Sequence, residues 1–253
     1  MKKGQCKLCL ENKNLCSKSH IIPKFLYKLL TGENNSLIFV DNKQAKLRYN
    51  SEYESNILCK NCDSQIIGKL ENYVAEFVYN KFPKESSRLE IIDGREYLII
   101  EGNTNYNYKK YKLFLLSLLW RSSISSRPFF QQINLSSKDE DSLRNMILNS
   151  EPGEPDAYTC FLHLPPLVPS PKGDRSFNTL YMPTMSPMTA KADGWEICKF
   201  DIQGMGFYFL ISKPLGTKVE PSVEINRLLL KIRTLEEQNE LLNSTFELIR
   251  NHR

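Results

Sequence analysis

The 253-residue sequence predicts an α+β fold in three consecutive parts, residues 1–82, 83–215 and 221–251. Three observations carry this prediction. Two Cys-x-x-Cys pairs lie in the first part, helical and strand-like patterns follow one another through the second, and an apolar repeat of alternating three- and four-residue spacing runs through the third. The composition, 41% hydrophobic and 25% charged, is that of an ordinary globular protein.

The cysteine pairs are the strongest chemical signal in the first part. They are Cys6 with Cys9 in Gln-Cys-Lys-Leu-Cys, and Cys59 with Cys62 in Leu-Cys-Lys-Asn-Cys. The two-residue spacing within each pair allows the two pairs to place four thiolates around one tetrahedral Zn²⁺. The 49 residues between the pairs form a longer loop than a simple zinc ribbon has, so we expect further structure inside it.

The other three cysteines do not form pairs. Cys160 and Cys198 lie in strand-like runs and are expected to be buried packing residues, whereas Cys16 is an alternative ligand without a partner. No apolar run follows Met1, and the longest one, 113–120, is too short to span a bilayer. The sequence therefore predicts a cytoplasmic protein, where thiols stay reduced, that does not associate with membranes.

Three elements are predicted inside or just after the long loop. A short helix covers 23–30, with Pro23 in its first turn. A hairpin follows, with strands 36–40 and 45–49. A longer helix then runs from Asp63, which is suited to cap it, to about residue 81, with apolar residues on one face.

The second part is predicted to begin with helices and to continue with strands. Residues 109–125 are apolar nearly all round and form a buried helix, and Ser137-Lys138-Asp139-Glu140 is a capping box that opens a helix to Asn149. An irregular loop is expected at the prolines of 165–171. The predicted strands are 157–164, 177–182, 195–202 and 205–212, the last two forming a hairpin through Gln203-Gly204.

The third part is predicted to be a parallel dimeric coiled coil over 225–249. Its a positions include a single asparagine, Asn239, which would fix the register, and Lys231 would face Glu236 of a second chain. The alternative is a helix that packs on its own domain. The heptad positions are Ile225, Leu228, Ile232, Leu235, Asn239, Leu242, Phe246 and Ile249.

The positive charge of the chain is concentrated near its start. The formal net charge is +5 and the pI about 8.7, and the first 28 residues contain seven lysines and one acidic residue, Glu11. This asymmetry is compatible with contact with nucleic acid, although a solvated basic face would give the same composition. The candidate nucleic-acid-binding residues are Lys7, Lys18, Lys24 and Lys60.

Residues 5–80 resemble a known family. The first cysteine pair, then Ser19-His20-Ile21-Ile22-Pro23, then Asn-Ile-Leu-Cys-x-x-Cys-Asp leading into a helix is similar to the zinc-stapled HNH endonucleases. The resemblance implies a ββα-metal fold around one catalytic divalent ion, Mg²⁺ or Mn²⁺, in addition to the structural Zn²⁺. It also implies hydrolysis of DNA phosphodiesters, in a setting such as restriction or defence against phage.

The resemblance assigns roles to individual residues. His20 matches the general base that activates water, and Asn56 matches the asparagine that orients it, with Asn50 and Glu54 as possible substitutes. Asp63 stands where the family usually has His or Asn, and together with Glu71 it could hold the catalytic ion. Ser19 stands where the family usually has a metal ligand.

Three functions are consistent with these residues. The first is the metal-dependent HNH-like endonuclease. The second is a zinc-stapled nucleic-acid-binding protein without catalysis, and the third is a protein-interaction scaffold with a partner that the sequence does not identify. In both alternatives His20 is a structural residue, buried with a satisfied hydrogen bond or taking a zinc position. Metal beside His20, separate from the four cysteines, would favour the first.

Overall fold

A computed structural model describes residues 2–31, 37–41, 45–48, 52–79, 87–102, 105–169, 175–177 and 183–250. The fold is α+β, as predicted. Five α-helices and sixteen short or medium strands are formed by the described residues. The strands assemble into one seven-stranded sheet and four smaller sheets of two or three strands.

The N-terminal region alternates short strands with helices. The first strand pair, β1 and β2, forms a hairpin, and β3 pairs antiparallel with β6 across the whole insertion between them. The hairpin predicted within that insertion is confirmed by β4 and β5. The elements are β1 (Lys3–Gln5), β2 (Asn12–Asn14), β3 (Ser19–His20), α1 (Lys24–Thr31), β4 (Leu37–Val40), β5 (Ala45–Arg48) and β6 (Tyr53–Glu54).

A long helix follows the second cysteine pair. Its first turns, Asn61–Ile67, have wide π-type hydrogen bonding, and it continues as α2 (Gly68–Tyr79). The helix was predicted at this place, but Asp63 is not its cap. The Asp63 amide already donates to the Cys59 carbonyl at 2.9 Å, so Asp63 lies inside the first turn.

The remaining chain contains two more helices, then most of the strands, then a last helix. Both helices predicted in the middle of the chain are confirmed, as are the strands of the Gln203-Gly204 hairpin. The elements are β7 (Ser87–Ile92), β8 (Arg95–Glu101), α3 (Tyr108–Ser123), α4 (Ser137–Asn149), β9 (Cys160–Leu164), β10 (Leu167–Pro169), β11 (Arg175–Phe177), β12 (Thr184–Met185), β13 (Met188–Ala192), β14 (Trp195–Ile202), β15 (Met205–Ser212), β16 (Arg227–Ile232) and α5 (Leu235–Arg250).

The seven-stranded sheet has the order β13-β14-β15-β9-β16-β8-β7. All neighbours are antiparallel except β9 and β16, which run parallel. One face presents apolar side chains to α3, which is buried on every side from Tyr111 to Ser122. The buried residues form one continuous core that includes Cys6, Cys59 and Cys62 as well as Phe209 and Leu228 of the sheet.

The predicted coiled coil is wrong in its first half. Residues 227–232 form β16, a strand between β9 and β8, and the helix begins only at Leu235. Leu228 and Ile232 are buried in the sheet, whereas Ile225 is 56% exposed. Lys231 pairs with Glu237 of its own chain, with Nζ 2.5 Å from Oε1, instead of with Glu236 of a second chain. The heptads that supported a dimer through 225–249 therefore do not form one helix.

Smaller differences concern single boundaries. The cap of α4 is Ser136, whose hydroxyl accepts from the Asp139 amide at 3.1 Å, and not Ser137. The proline-rich loop contains β10, which pairs with β11, because Leu167 and Val168 separate its prolines. Most of the predicted strand 177–182 lies outside the described residues. The division of the chain at residues 82 and 215 stays a prediction, although the large sheet contains strands from both sides of residue 215.

None of the described helices combines the length and the apolar character that a membrane span requires.

Candidate functional site

The two cysteine pairs meet in one cluster. The sulfur atoms of Cys6, Cys9, Cys59 and Cys62 all lie within 4.8 Å of one another. Cys6, Cys59 and Cys62 are buried, and Cys9 is partly exposed. Four thiolates at this separation are the donor set of a structural Zn²⁺ site. The cluster can therefore hold a zinc ion, as the sequence predicted, and Cys16 lies outside it.

Backbone geometry builds the first half of the cluster. The hairpin β1–β2 turns tightly after Cys6: the Leu10 amide donates to the Cys6 carbonyl at 2.8 Å, and Leu10 has a positive φ of 62°. The Lys7 amide donates to the Ile57 carbonyl at 2.8 Å, and the Cys59 amide lies 3.3 Å from the Cys6 sulfur. These bonds join the two cysteine pairs through the backbone.

The environment of the sulfurs suits a bound cation. Burial acts to raise the pKa of the Cys6 thiol, but the backbone amides around it outweigh burial and lower that pKa. Burial raises the pKa of Cys62 far above its ordinary value, and the neighbouring sulfurs of Cys59, Cys6 and Cys9 raise it further, because their charges repel one another without a cation among them. A divalent metal removes this conflict.

His20 lies on β3, within the long loop between the two cysteine pairs, and is half-buried. Its direct neighbour across the strand pair is Tyr53 of β6. The Ile21 amide donates to the Glu52 carbonyl at 3.0 Å, so the adjacent pair His20–Tyr53 is a non-hydrogen-bonded pair. Side chains approach most closely in pairs of this kind.

The charges around His20 come from three helices. Burial lowers the pKa of His20 below its ordinary value, and Lys24 and Arg121 lower it further, against the opposing effects of Glu71 and Asp63. The imidazole is therefore neutral near pH 7. Arg121 Nη1 donates to both the His20 carbonyl and Glu71, so the backbone of His20 lies beside the helix that follows Cys62.

A buried arginine connects the strand of His20 to the two neighbouring helices. Arg121 of α3 is 2% exposed, and its Nη1 donates to the His20 carbonyl at 2.5 Å and to Glu71 Oε1 at 2.6 Å. Its Nε donates to the Ser117 carbonyl one turn earlier. One guanidinium thus links β3, α2 and α3.

The other predicted catalytic residues have different surroundings. Asn56 has a positive φ of 59°, and its amide donates to the Cys16 carbonyl at 2.9 Å. Glu54, the possible substitute, accepts hydrogen bonds from the Ser125 and Ser126 hydroxyls and from the Ser126 amide. Asn50 lies outside the described residues. The orienting role of Asn56 stays a prediction.

No second metal cluster accompanies the cysteines in the described part of the chain. There the four cysteines are the one group of three or more His, Cys, Asp or Glu side chains close enough to share an ion. His20, Asp63 and Glu71 do not form such a group, and an oxygen of Glu71 is already bound to Arg121. Asp63 is half-buried and is the carboxylate that remains for a divalent ion.

All four candidate nucleic-acid-binding lysines are exposed. Lys18 and Lys24 flank His20 in the sequence, and Lys7 and Lys60 lie within the two cysteine pairs. Their exposure fits a role in binding phosphate, although exposure is equally expected for a solvated basic face.

Two residues of this site were missed by sequence reasoning. Arg121 had a signal, since it is a lone charge after Leu-Leu-Ser-Leu-Leu-Trp in a helix that must be buried, and a buried charge needs partners. Tyr53 had none, because its neighbour His20 lies 33 positions earlier and only the strand pairing brings them together.

Comparisons with known proteins do not assign this chain to a family. No protein-family model, no curated protein and no solved structure matches it.

Proposed function

We propose that the chain is a metal-dependent, HNH-like endonuclease that hydrolyses DNA phosphodiesters. The observation that carries this proposal is the position of His20. It is held on a strand that pairs with β6, and Arg121 joins its backbone to Glu71 of the helix that begins at the second cysteine pair. Two strands and a helix around one histidine are the arrangement that the sequence resemblance implies. Restriction or defence against phage is the setting implied by the same resemblance.

The chemistry assigned to His20 follows from its charge state. A neutral imidazole can accept a proton from the water that attacks phosphorus. Arg121 fixes the backbone of His20 through the carbonyl, so the imidazole base stands on a rigid strand. Lys18 and Lys24 are exposed and flank His20 in the sequence, and in this proposal they would bind the phosphates on either side of the bond that breaks.

Asp63 would hold the divalent ion in this proposal. Mg²⁺ commonly takes one or two carboxylates, several waters and the phosphate oxygens of a substrate, so a single carboxylate beside His20 fits it. When bound, the ion polarises the phosphate and stabilises the leaving oxygen. Glu71 serves instead to hold Arg121.

The test compares nicking of supercoiled plasmid DNA in Mg²⁺ or Mn²⁺. We expect His20→Ala to reduce the rate by at least about 100-fold, because general-base catalysis contributes roughly 10² to 10⁴. Zinc content and circular dichroism should not change. His252→Ala is the matched control and should cut like the wild type. Equal rates for wild type and His20→Ala would contradict the proposal.

A second candidate function is a zinc-stapled nucleic-acid-binding or protein-interaction scaffold without catalysis. One observation favours it: Arg121 uses both Glu71 and the His20 carbonyl as structural partners. In that case the wild type binds DNA or a protein partner but leaves the plasmid supercoiled at every metal concentration. The same nicking assay therefore separates the two candidates.

A further inference from the structure

Tyr53 is the aromatic residue closest to His20 along the strand pair. Because His20 and Tyr53 are opposite each other in a non-hydrogen-bonded pair, their side chains lie on the same face of the β3–β6 ribbon. The tyrosine side chain is half-buried, and its hydroxyl forms no hydrogen bond with the residues that the structure describes. It therefore presents a partly accessible ring beside the imidazole.

Two cations lie against this ring. The Lys18 ammonium is 5.0 Å from the ring centroid, and the Arg127 guanidinium carbon is 5.8 Å from it. Lys18 is exposed, and the Arg127 side chain is 40% exposed. Both contacts are within the range of cation–π attraction. The cluster of Lys18, Tyr53 and Arg127 is called the Tyr53 platform below.

Two acidic groups near the platform already have partners, one of them Arg127 of the platform itself. The buried Glu52 carboxylate lies 3.4 Å from Arg127 Nε, and Glu54 accepts hydrogen bonds from two serines. The charge of Arg127 is thus partly compensated by Glu52, whereas Lys18 forms no ion pair within the described part of the chain. Lys18 is free to turn from the ring toward a phosphate, which would leave the ring face open.

An aromatic ring bordered by cations matches the chemistry of a nucleotide with an accessible base. Bases stack on tyrosine rings when they are not paired and stacked within a duplex, and lysine and arginine bind the adjoining phosphates. A base inside a duplex has no free face to offer. The platform lies one cross-strand step from His20, so its ligand would adjoin the phosphate that His20 faces.

We propose that the Tyr53 platform binds an unpaired DNA base next to the phosphate at His20, which makes single-stranded or locally unpaired DNA the preferred ligand. The position next to a scissile phosphate rests on the proposed nuclease function. The stacking itself can be measured without cleavage.

The experiment measures fluorescence anisotropy of a labelled oligodeoxythymidylate and of a blunt duplex of the same length, with all proteins in the His20→Ala background. Adding Tyr53→Ala should weaken binding of the single strand about tenfold, since stacking on an aromatic side chain contributes roughly 1–3 kcal/mol per base. Duplex binding should change less than about twofold, because bases stacked inside a duplex have no free face for the tyrosine ring. Tyr53→Phe keeps the ring and should bind both ligands like its parent.

Tyr97→Ala is the control, because Tyr97 is another half-buried tyrosine but lies in the seven-stranded sheet. Zinc content and circular dichroism establish that each variant is folded. Unchanged single-strand affinity in Tyr53→Ala, or an equal loss for both DNA forms, would overturn the proposal. Plasmid nicking by the wild type is scored separately. If the wild type does not nick while Tyr53→Ala still loses single-strand affinity, the nuclease function fails and the stacking site stands.

Discussion

Arg121 shows how one side chain can decide the geometry of the candidate site. A guanidinium without partners is very costly to bury, and here each hydrogen bond that stabilises the charge also fixes a different element. The His20 carbonyl, Glu71 and Ser117 are the partners. Lysine could not replace it, because a single ammonium cannot reach three acceptors in the same fixed fork.

The Arg121–Glu71 pair leads to a prediction that a double-mutant cycle can measure. Arg121→Met should lower the free energy of unfolding by about 3 kcal/mol, because it leaves a largely buried carboxylate without its partner. Arg121→Met combined with Glu71→Met should recover part of that loss, since no charge is then left unpaired. Urea unfolding at pH 7 gives both values. Strictly additive effects would show that the two side chains are not coupled.

Among the individual residues of the site, the zinc ligands could be predicted from the sequence, whereas the residues that pack against His20 could not. The cysteine spacing is a local property, so Cys6, Cys9, Cys59 and Cys62 could be assigned directly. Arg121 and Tyr53 reach His20 only through tertiary contacts, from 101 and 33 positions away. Such contacts leave no spacing pattern in a single sequence.

The elements differ in how far local pattern determined them. Helix α3 was predictable because its apolar residues, which run from Leu113 to Trp120 with only Ser117 between them, lie on every side of the helix. Strand β16 was not, since Leu228 and Ile232 fit a heptad as well as they fit a buried strand. Thr234 and Glu237 indicate in the sequence that the helix begins only after β16. They form a capping box, in which the Glu237 amide donates to the Thr234 hydroxyl at 3.1 Å and the Thr234 amide to Glu237 Oε2 at 2.9 Å.

A second sequence pattern that was not used lies in the turn between β7 and β8. Asp93 and Gly94 both have positive φ values, 48° and 73°, in the turn that joins β7 to β8. An Asp-Gly pair between apolar runs is typical of a two-residue hairpin. Reading it would have located two strands of the large sheet.

The position of β16 predicts the effect of truncation. Ending the chain after Leu215 removes a strand whose residues Leu228, Leu230 and Ile232 are buried between β8 and β9. We expect the truncated chain to lose its cooperative thermal transition, because both neighbouring strands then have unpaired edges. Ending the chain after Arg250 is the control and should leave the transition unchanged. A soluble, cooperatively folded truncation at Leu215 would mean that β16 is dispensable.

The whole molecule shares one core, which makes the zinc site important beyond its own residues. Buried residues connect Cys6 and Cys59 to the seven-stranded sheet without a gap. Metal binding to four deprotonated thiolates supplies folding energy directly. A disturbance at the cysteine cluster should therefore be felt in the unfolding of the entire chain.

Cys62→Ser tests this coupling. We expect zinc content near zero and a free energy of unfolding lower by more than about 5 kcal/mol, in one transition that includes the sheet. Cys16→Ser is the matched control, since Cys16 lies outside the cluster, and it should retain one zinc per chain. Elemental analysis and circular dichroism with urea give both quantities. Loss of zinc from Cys16→Ser would revise the ligand set.

The order in which a ribosome delivers these strands has its own consequence. The four cysteines have all been synthesised by residue 62, whereas β16, which joins β8 to β9, is complete only at residue 232. Until then a nascent chain holds a β7–β8 hairpin and a separate group of four strands, each with an open edge. The metal site can therefore form during synthesis, while the sheet closes only after translation has passed Ile232.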